Sequence, residues 1–125
     1  MKHVISTTNA PAALGPYSQA IQVENMVFLS GQLGIDPATG NFVADTVSEQ
    51  TEQAFKNIQA ILAEVHLTLE NVVKTTVFLS DMADFSAMNA VYDKHFTPPY
   101  PARSTVAVKT LPKNGLVEIE VIAVK

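Results

Sequence analysis

An α+β fold, with two helices packed on one face of a mixed six-stranded sheet, is the architecture this chain predicts. Three observations predict it. Strand-like and helix-like hydrophobic patterns alternate without a linker, in the order β-β-β-α-β-α-β-β. The 125 residues amount to one core and one domain, taken as residues 1–125. Charged residues make up only 16% of the chain, against roughly a quarter in an ordinary soluble domain. Two helices cover one sheet face, so the other face is most simply covered by another subunit.

The elements follow in order. Ala20 to Ser30 reads as a hairpin. Ile21 and Val23 alternate with polar residues, Glu24-Asn25 supplies the turn, and Met26–Leu29 is the buried return strand. Asp36–Asn41 is a surface turn. Thr46 and Glu49 have capping-box spacing and open a helix. Its apolar stripe is Ala54, Phe55, Ile58, Ile61, Leu62 and Val65, with Glu52 and Lys56 as an exposed i,i+4 pair. Val72–Leu79 is a β-branched strand. Asp81 caps a second helix with the stripe Phe85, Met88, Val91, Tyr92 and Phe96, stopped by Pro98 and Pro99. Arg103–Val108 and Leu116–Val124 are the last strands. In the second of these, Glu118 and Glu120 face one way, and Val117, Ile119 and Val121 the other.

Composition removes several classes of function. A net charge of −4 and no basic cluster make nucleic acid an unfavoured partner. The chain has no cysteine, which excludes a disulfide framework, a thiolate-held zinc and a thiol nucleophile. No apolar run approaches the ~20 residues of a membrane span. Met1-Lys2-His3-Val4 lacks the pattern of a signal peptide, so a cytoplasmic protein is the expectation. His3, His66 and His95 lack metal-ligand spacing, and His95 is placed to face the core beside Phe96. The glycines at 15, 31, 34, 40 and 115 match neither a dinucleotide fingerprint nor a P-loop. No metal and no organic cofactor is expected.

Arg103 is the most informative residue. It is the only arginine among eight cations, and it opens a strand after Pro101-Ala102. Its planar fork matches a carboxylate bidentately; the alternative is a salt bridge within or between subunits. Glu118 on an apolar strand is either a base or water-orienting group, or one of two solvated carboxylates at a sheet edge. Tyr17, in Gly15-Pro16-Tyr17-Ser18-Gln19, is either presented to a ligand or buried at an interface. Ser30-Gly31 ends a strand where glycine permits close approach to the backbone, or is an ordinary bulge. Lys74 interrupts its strand and reads as a lysine that reaches the surface or pairs with a carboxylate. Asn89 is helix surface, within reach of an adjacent site.

In this order and spacing, these fragments resemble the RidA/YjgF family, the reactive-intermediate imine deaminases. The resemblance runs from Asn9-Ala10-Pro11-Ala12 and Gly15–Ala20 through Ser30-Gly31-Gln32 and Val72–Leu79. It continues through Pro101-Ala102-Arg103-Ser104 and Leu111-Pro112-Lys113 to Val117–Val121. It implies a chorismate-mutase-like fold and a homotrimer with three clefts between neighbouring subunits. It also implies hydrolysis of 2-imino or 2-enamino acids to 2-keto acids and ammonia. Arg103 would bind the substrate carboxylate, Glu118 would position the water, Tyr17 would complete the catalytic set, and Ser30 and Gly31 would contact the substrate. Asn89, from its place on the second helix, is expected to join them in binding. Many members carry cysteine two residues after this arginine. Here the residue is Thr105, whose backbone amide remains able to contact a carboxylate. The alternatives are a non-catalytic module that binds 2-keto acids and, disfavoured by charge, an endoribonuclease or translation inhibitor.

Overall fold

β-Branched, alternating segments form the sheet and the two striped segments form its cover. The computed structural model describes residues 1–125. Its strands are β1 (Lys2–Ile5), β2 (Ala20–Val23), β3 (Met26–Leu29), β4 (Gln32–Leu33), β5 (Val72–Leu79), β6 (Ala102–Ala107) and β7 (Val117–Val124). The helices are α1 (Val47–Ala63) and α2 (Phe85–His95). The sheet runs β1-β2-β3-β7-β5-β6, with β4 also paired to β7. All pairings are antiparallel except β5–β6, which are parallel and joined through α2.

The sheet therefore has seven strands rather than the expected six. One strand is interrupted: β3 pairs with β7 at Phe28↔Ile122, and β4 resumes the pairing at Gln32↔Ile119. Ser30 and Gly31 form the break. β1 carried no legible signal, because three of its four residues are exposed. The hairpin turn falls at Glu24-Asn25 as expected, with Glu24 in the left-handed region at φ 54°.

β7 organises the core. Val117, Ile119, Val121 and Ala123 are buried, and beside them on β5 lie Thr75, Val77 and Leu79. Against this face α1 packs Ala54, Phe55, Ile58, Ile61 and Leu62, none of them exposed, and α2 packs Met88 and Tyr92. Each large aliphatic or phenyl group so buried contributes roughly 1.5–3 kcal/mol. Buried polar groups set the docking of α1. Asn57 Nδ2 donates to the Leu33 and Ile35 carbonyls at 3.1 and 2.9 Å. Gln50 accepts from the Leu116 amide and donates to the Ala44 carbonyl, both at 2.9 Å. Gly34 lets the helix approach, since a Cβ there would meet Gln50 Cα at 2.5 Å.

Details of the helices differ from expectation for local reasons. The Thr46 hydroxyl accepts from the Glu49 amide, but the Glu49 carboxylate returns to that hydroxyl rather than to the backbone, completing only half a capping box. Val65 lies beyond the end of α1 and is only half-buried. Glu52 does not pair with Lys56. It meets His95 Nε2 at 2.9 Å, and the His95 ring stacks on Phe55, so this histidine does face the core. Asp81 caps a 3-10 turn over Met82–Asp84 that leads into α2, rather than α2 itself. Phe96 is buried just past the end of α2.

Candidate active site

Register determines which predicted site residues can meet. Arg103 is paired with Thr75 and Thr105 with Val77, so both side chains stand on the helix-covered side of β6. Glu118 is paired with Phe78, which stands on the opposite, uncovered side. The predicted residues thus separate into two groups on opposite faces of one sheet.

The arginine group is built on α2. Phe85, Asn89 and Tyr92 recur at helical spacing on the side that faces β6. Arg103 Nη1 donates to Asn89 Oδ1 at 2.7 Å. The guanidinium carbon lies 4.5 Å from the Tyr92 ring centre and 5.6 Å from that of Phe85. The one contact between a basic side chain and a carboxylate is His95–Glu52, so Arg103 has no carboxylate partner. A salt bridge within the subunit is thereby excluded. The fork is solvent-exposed and held entirely by neutral groups. Thr105, two residues along the same face, has a buried Oγ1 without a hydrogen-bond partner.

The glutamate group gathers at the break between β3 and β4. Glu118 lies directly over Gly31: a Cβ on that glycine would meet Glu118 Cδ at 2.8 Å. Glycine is thus required for close approach. Ser30 Oγ donates to the Ser18 carbonyl at 2.6 Å, and the Ser30 amide donates to the Gln19 carbonyl at 2.9 Å. These bonds tie the break to the loop carrying Tyr17, a residue 56% exposed. Gln19 fixes the start of this loop by donating to the Thr7, Ala10 and Pro11 carbonyls and accepting from the Thr7 amide. The Glu118 carboxyl is pushed up in pKa, first by burial and second by the Glu120 carboxylate. Lys74 relieves neither glutamate; its ammonium donates to Ser104 Oγ at 3.2 Å. No three His, Cys, Asp or Glu side chains converge in a way that would hold a metal ion.

Sequence reasoning missed Tyr92 and Phe85 as site components. Both belong to the apolar stripe of the second helix, and Tyr92 is only 5% exposed. The overlooked signal was the alignment of that stripe with Asn89 beneath the only arginine.

The surface around these groups is also informative. Val4, Ile21, Phe28 and Ile122 form a continuous row across the uncovered face, through the pairings Val4↔Ile21↔Phe28↔Ile122. Val4 is 68% exposed and Phe28 39%. Val106, 46% exposed, adds to this face beside Phe78.

The fold and these groups define a small α+β protein with an exposed arginine that has no carboxylate partner and, on the other sheet face, a carboxyl whose pKa is raised by burial and by Glu120. Residues 7–125 match the protein-family model described as Endoribonuclease L-PSP. The chain is 55% identical over 98% of its length to Reactive Intermediate Deaminase A, chloroplastic, of Arabidopsis thaliana, and spans 65% of that relative. It is 50% identical over its whole length to the 2-iminobutanoate/2-iminopropanoate deaminase of Capra hircus, covering 91% of that protein. Its fold superimposes on E. coli TdcF with bound serine at a TM-score of 0.91, with 42% identity and 98% of each chain covered. The chain belongs to the RidA/YjgF/L-PSP family, the family of the reactive-intermediate imine deaminases. No helix is long and apolar enough to cross a membrane.

Proposed function

We propose that this protein hydrolyses 2-imino and 2-enamino acids, 2-iminobutanoate and 2-iminopropanoate among them, to 2-keto acids and ammonia. The observation that carries this reading is Arg103: the only guanidinium in the chain, exposed, without a carboxylate partner, yet held at 2.7 Å by Asn89. Such a group is prepared for an external anion. The naming of close relatives supports the substrate class, and serine bound to TdcF is likewise a small carboxylic acid.

The site is completed between copies of the chain. Arg103, Asn89 and Thr105 come from one copy. Glu118, Tyr17, Ser30 and Gly31 come from the next, because one sheet separates the two sets. A homotrimer satisfies this with three equivalent clefts and covers the apolar row on the open face. In each cleft Arg103 binds the substrate carboxylate and orients the C=N carbon. Glu118 holds a water against that carbon and takes its proton. The resulting carbinolamine transfers a proton to nitrogen and expels ammonia, leaving the 2-keto acid. Every step uses side chains and water, so the reading invokes no metal or cofactor, and the cytoplasm is its proposed location.

The ribonuclease of the family model's description fits less well. Backbone phosphates call for several cations, whereas this chain has a net charge of −4 and one arginine.

The test is a coupled assay in which threonine dehydratase generates 2-iminobutanoate and 2-ketobutanoate formation is followed. Wild type accelerates the reaction, and Arg103→Ala lowers kcat/KM about a thousandfold, as expected when one partner of a desolvated charge pair is removed. An arginine variant with wild-type turnover sinks the reading. Binding of 2-ketobutanoate without any acceleration replaces it with a regulatory module.

A further inference from the structure

We propose that Tyr92, locked by Thr75, is a positioning residue that sets the plane of the Arg103 guanidinium and so the affinity for the substrate carboxylate. The inference rests on the carboxylate-clamp reading of Arg103 and extends it to two buried residues that do not touch substrate.

A free arginine on an edge strand samples many rotamers, and ordering it on binding weakens affinity. Here the ordering is built in. The Tyr92 ring stands 4.5 Å from the guanidinium carbon, close enough for the ring's negative face to attract the cation. Asn89 takes one edge of the fork, leaving the remaining N–H groups to a carboxylate. The ring itself cannot swing. Its hydroxyl shares a 2.8 Å hydrogen bond with Thr75 Oγ1, and Thr75 is fully buried. Phe55 meets it edge-on at 5.7 Å and Phe96 lies against it at 4.8 Å. Thr75 is also the register partner of Arg103. The strand pair that places the arginine therefore also anchors the ring that orients it. Neutral holders matter chemically: an acidic holder would compete with the substrate, whereas an aromatic face and an amide oxygen leave the full positive charge available.

The experiment measures kcat and KM for 2-iminobutanoate, the dissociation constant of 2-ketobutanoate by calorimetry, and the Arg103 Nε–H signal by NMR. As the only arginine, Arg103 gives a single such signal. Tyr92→Leu is expected to raise KM and the 2-ketobutanoate dissociation constant about tenfold with little change in kcat, the range of a lost cation–π contact. Its Nε–H signal is expected to lack the ring-current shift that the Tyr92 ring should impose in wild type. Tyr92→Phe and Thr75→Val each raise KM about threefold, the effect of one neutral hydrogen bond. The double variant is no worse than either, because both remove the same bond. If Tyr92→Leu fails to fold, this Phe/Val cycle decides alone. Full additivity in the cycle overturns the proposal. So do a Tyr92→Leu protein with unchanged KM and an unshifted Nε–H signal. An inert Arg103→Ala beside a normal Tyr92→Leu refutes the positioning role and keeps the clamp. A fully active Arg103→Ala refutes the clamp and the inference with it, as does a wild type that neither turns over imine nor binds 2-ketobutanoate.

Discussion

The two faces of the sheet are made of the same strands and are finished differently. On the covered face, β5 and β7 present Thr75, Val77, Leu79, Val117, Ile119 and Val121, all buried beneath α1 and α2. On the other face the same strands present Thr76, Phe78, Glu118, Glu120 and Ile122, partly or wholly exposed, beside an apolar row ending at Val4. The covered face is complete within one chain, while the open one leaves apolar groups and the Glu118 carboxyl uncovered. Arg103 reaches the margin of the first and Glu118 belongs to the second, so the proposed chemistry, which needs both, calls for a second copy of the chain.

The strongest way to break this comparison is to separate the two groups genetically. Arg103→Ala and Glu118→Ala are each expected to inactivate the proposed homotrimer, the second by the ~10²–10⁴-fold typical of a lost general base. When the two inactive chains are unfolded together and reassembled at random as trimers, about a quarter of the clefts receive an intact arginine from one copy and an intact glutamate from the next. Recovery of that fraction of wild-type turnover is the expected result. No recovery in verified mixed trimers places both residues in one subunit's site, against the register described above.

Gly31 sharpens the comparison at one point. Its missing Cβ is what allows Glu118 to lie over the strand break. Gly31→Ala displaces that carboxyl and is expected to lower kcat about a hundredfold, as a misplacement of roughly 1 Å does. The Arg103 side is left untouched, so 2-ketobutanoate affinity falls far less than kcat. Equal losses in both would show that the glycine supports binding rather than the placement of the base.

The two faces also differ in how far the sequence revealed them. The covered face was legible because burial imposes a period: the α1 stripe and the alternation of β7 each follow from one-sided packing. The open face obeys no such rule. Of the four strands before α1 the sequence leads one to expect three and locates only two. β1 shows no period because Lys2, His3 and Val4 are all exposed, and β4 because two residues cannot display one. Arg103 and Glu118 were legible by chemistry, as an only arginine and a carboxylate among aliphatics. That they lie on opposite faces depends on strand register, which no local pattern specified. Tyr92 was hidden for the opposite reason: its burial is genuine, and a core stripe gives no sign that its edge supports a cation.

Glu118 is expected to carry a stability cost with a definite sign. Burial and Glu120 raise its folded pKa above the ordinary glutamate range. The folded state therefore favours the neutral acid. That stabilisation is fully present below the unfolded pKa and is lost as pH rises through the raised folded value. Glu118→Gln keeps the neutral shape at every pH. Its urea midpoint is expected to exceed wild type at neutral pH and to match it near pH 3.5, below the unfolded glutamate value. In wild type, kcat/KM should rise with pH through the same raised pKa, because the water needs the carboxylate form. A variant less stable than wild type at neutral pH would mean that the ionised carboxylate is the favoured form.

The smallest expected effect compares two threonines on the same face of adjacent strands. Thr75 has a hydroxyl bonded to Tyr92 Oη at 2.8 Å, whereas Thr105 has a buried hydroxyl with no partner. Replacement by valine keeps the β-branched shape and deletes the oxygen in each case, yet the signs should differ. Thr75→Val strands the Tyr92 hydroxyl and destabilises. Thr105→Val removes an unsatisfied group and stabilises by about 1 kcal/mol, a rise in Tm of roughly 4 °C for a chain of this size. The same reasoning extends to a cysteine at position 105, the residue that the family resemblance leads one to expect there. A thiol loses less than a hydroxyl when buried without a partner, so Thr105→Cys should shift Tm in the same direction by a smaller amount. Thermal unfolding of the three variants decides it: if both valine variants lose stability alike, the Thr105 hydroxyl has a partner that the single chain does not supply, an ordered water or the neighbouring copy in the proposed trimer.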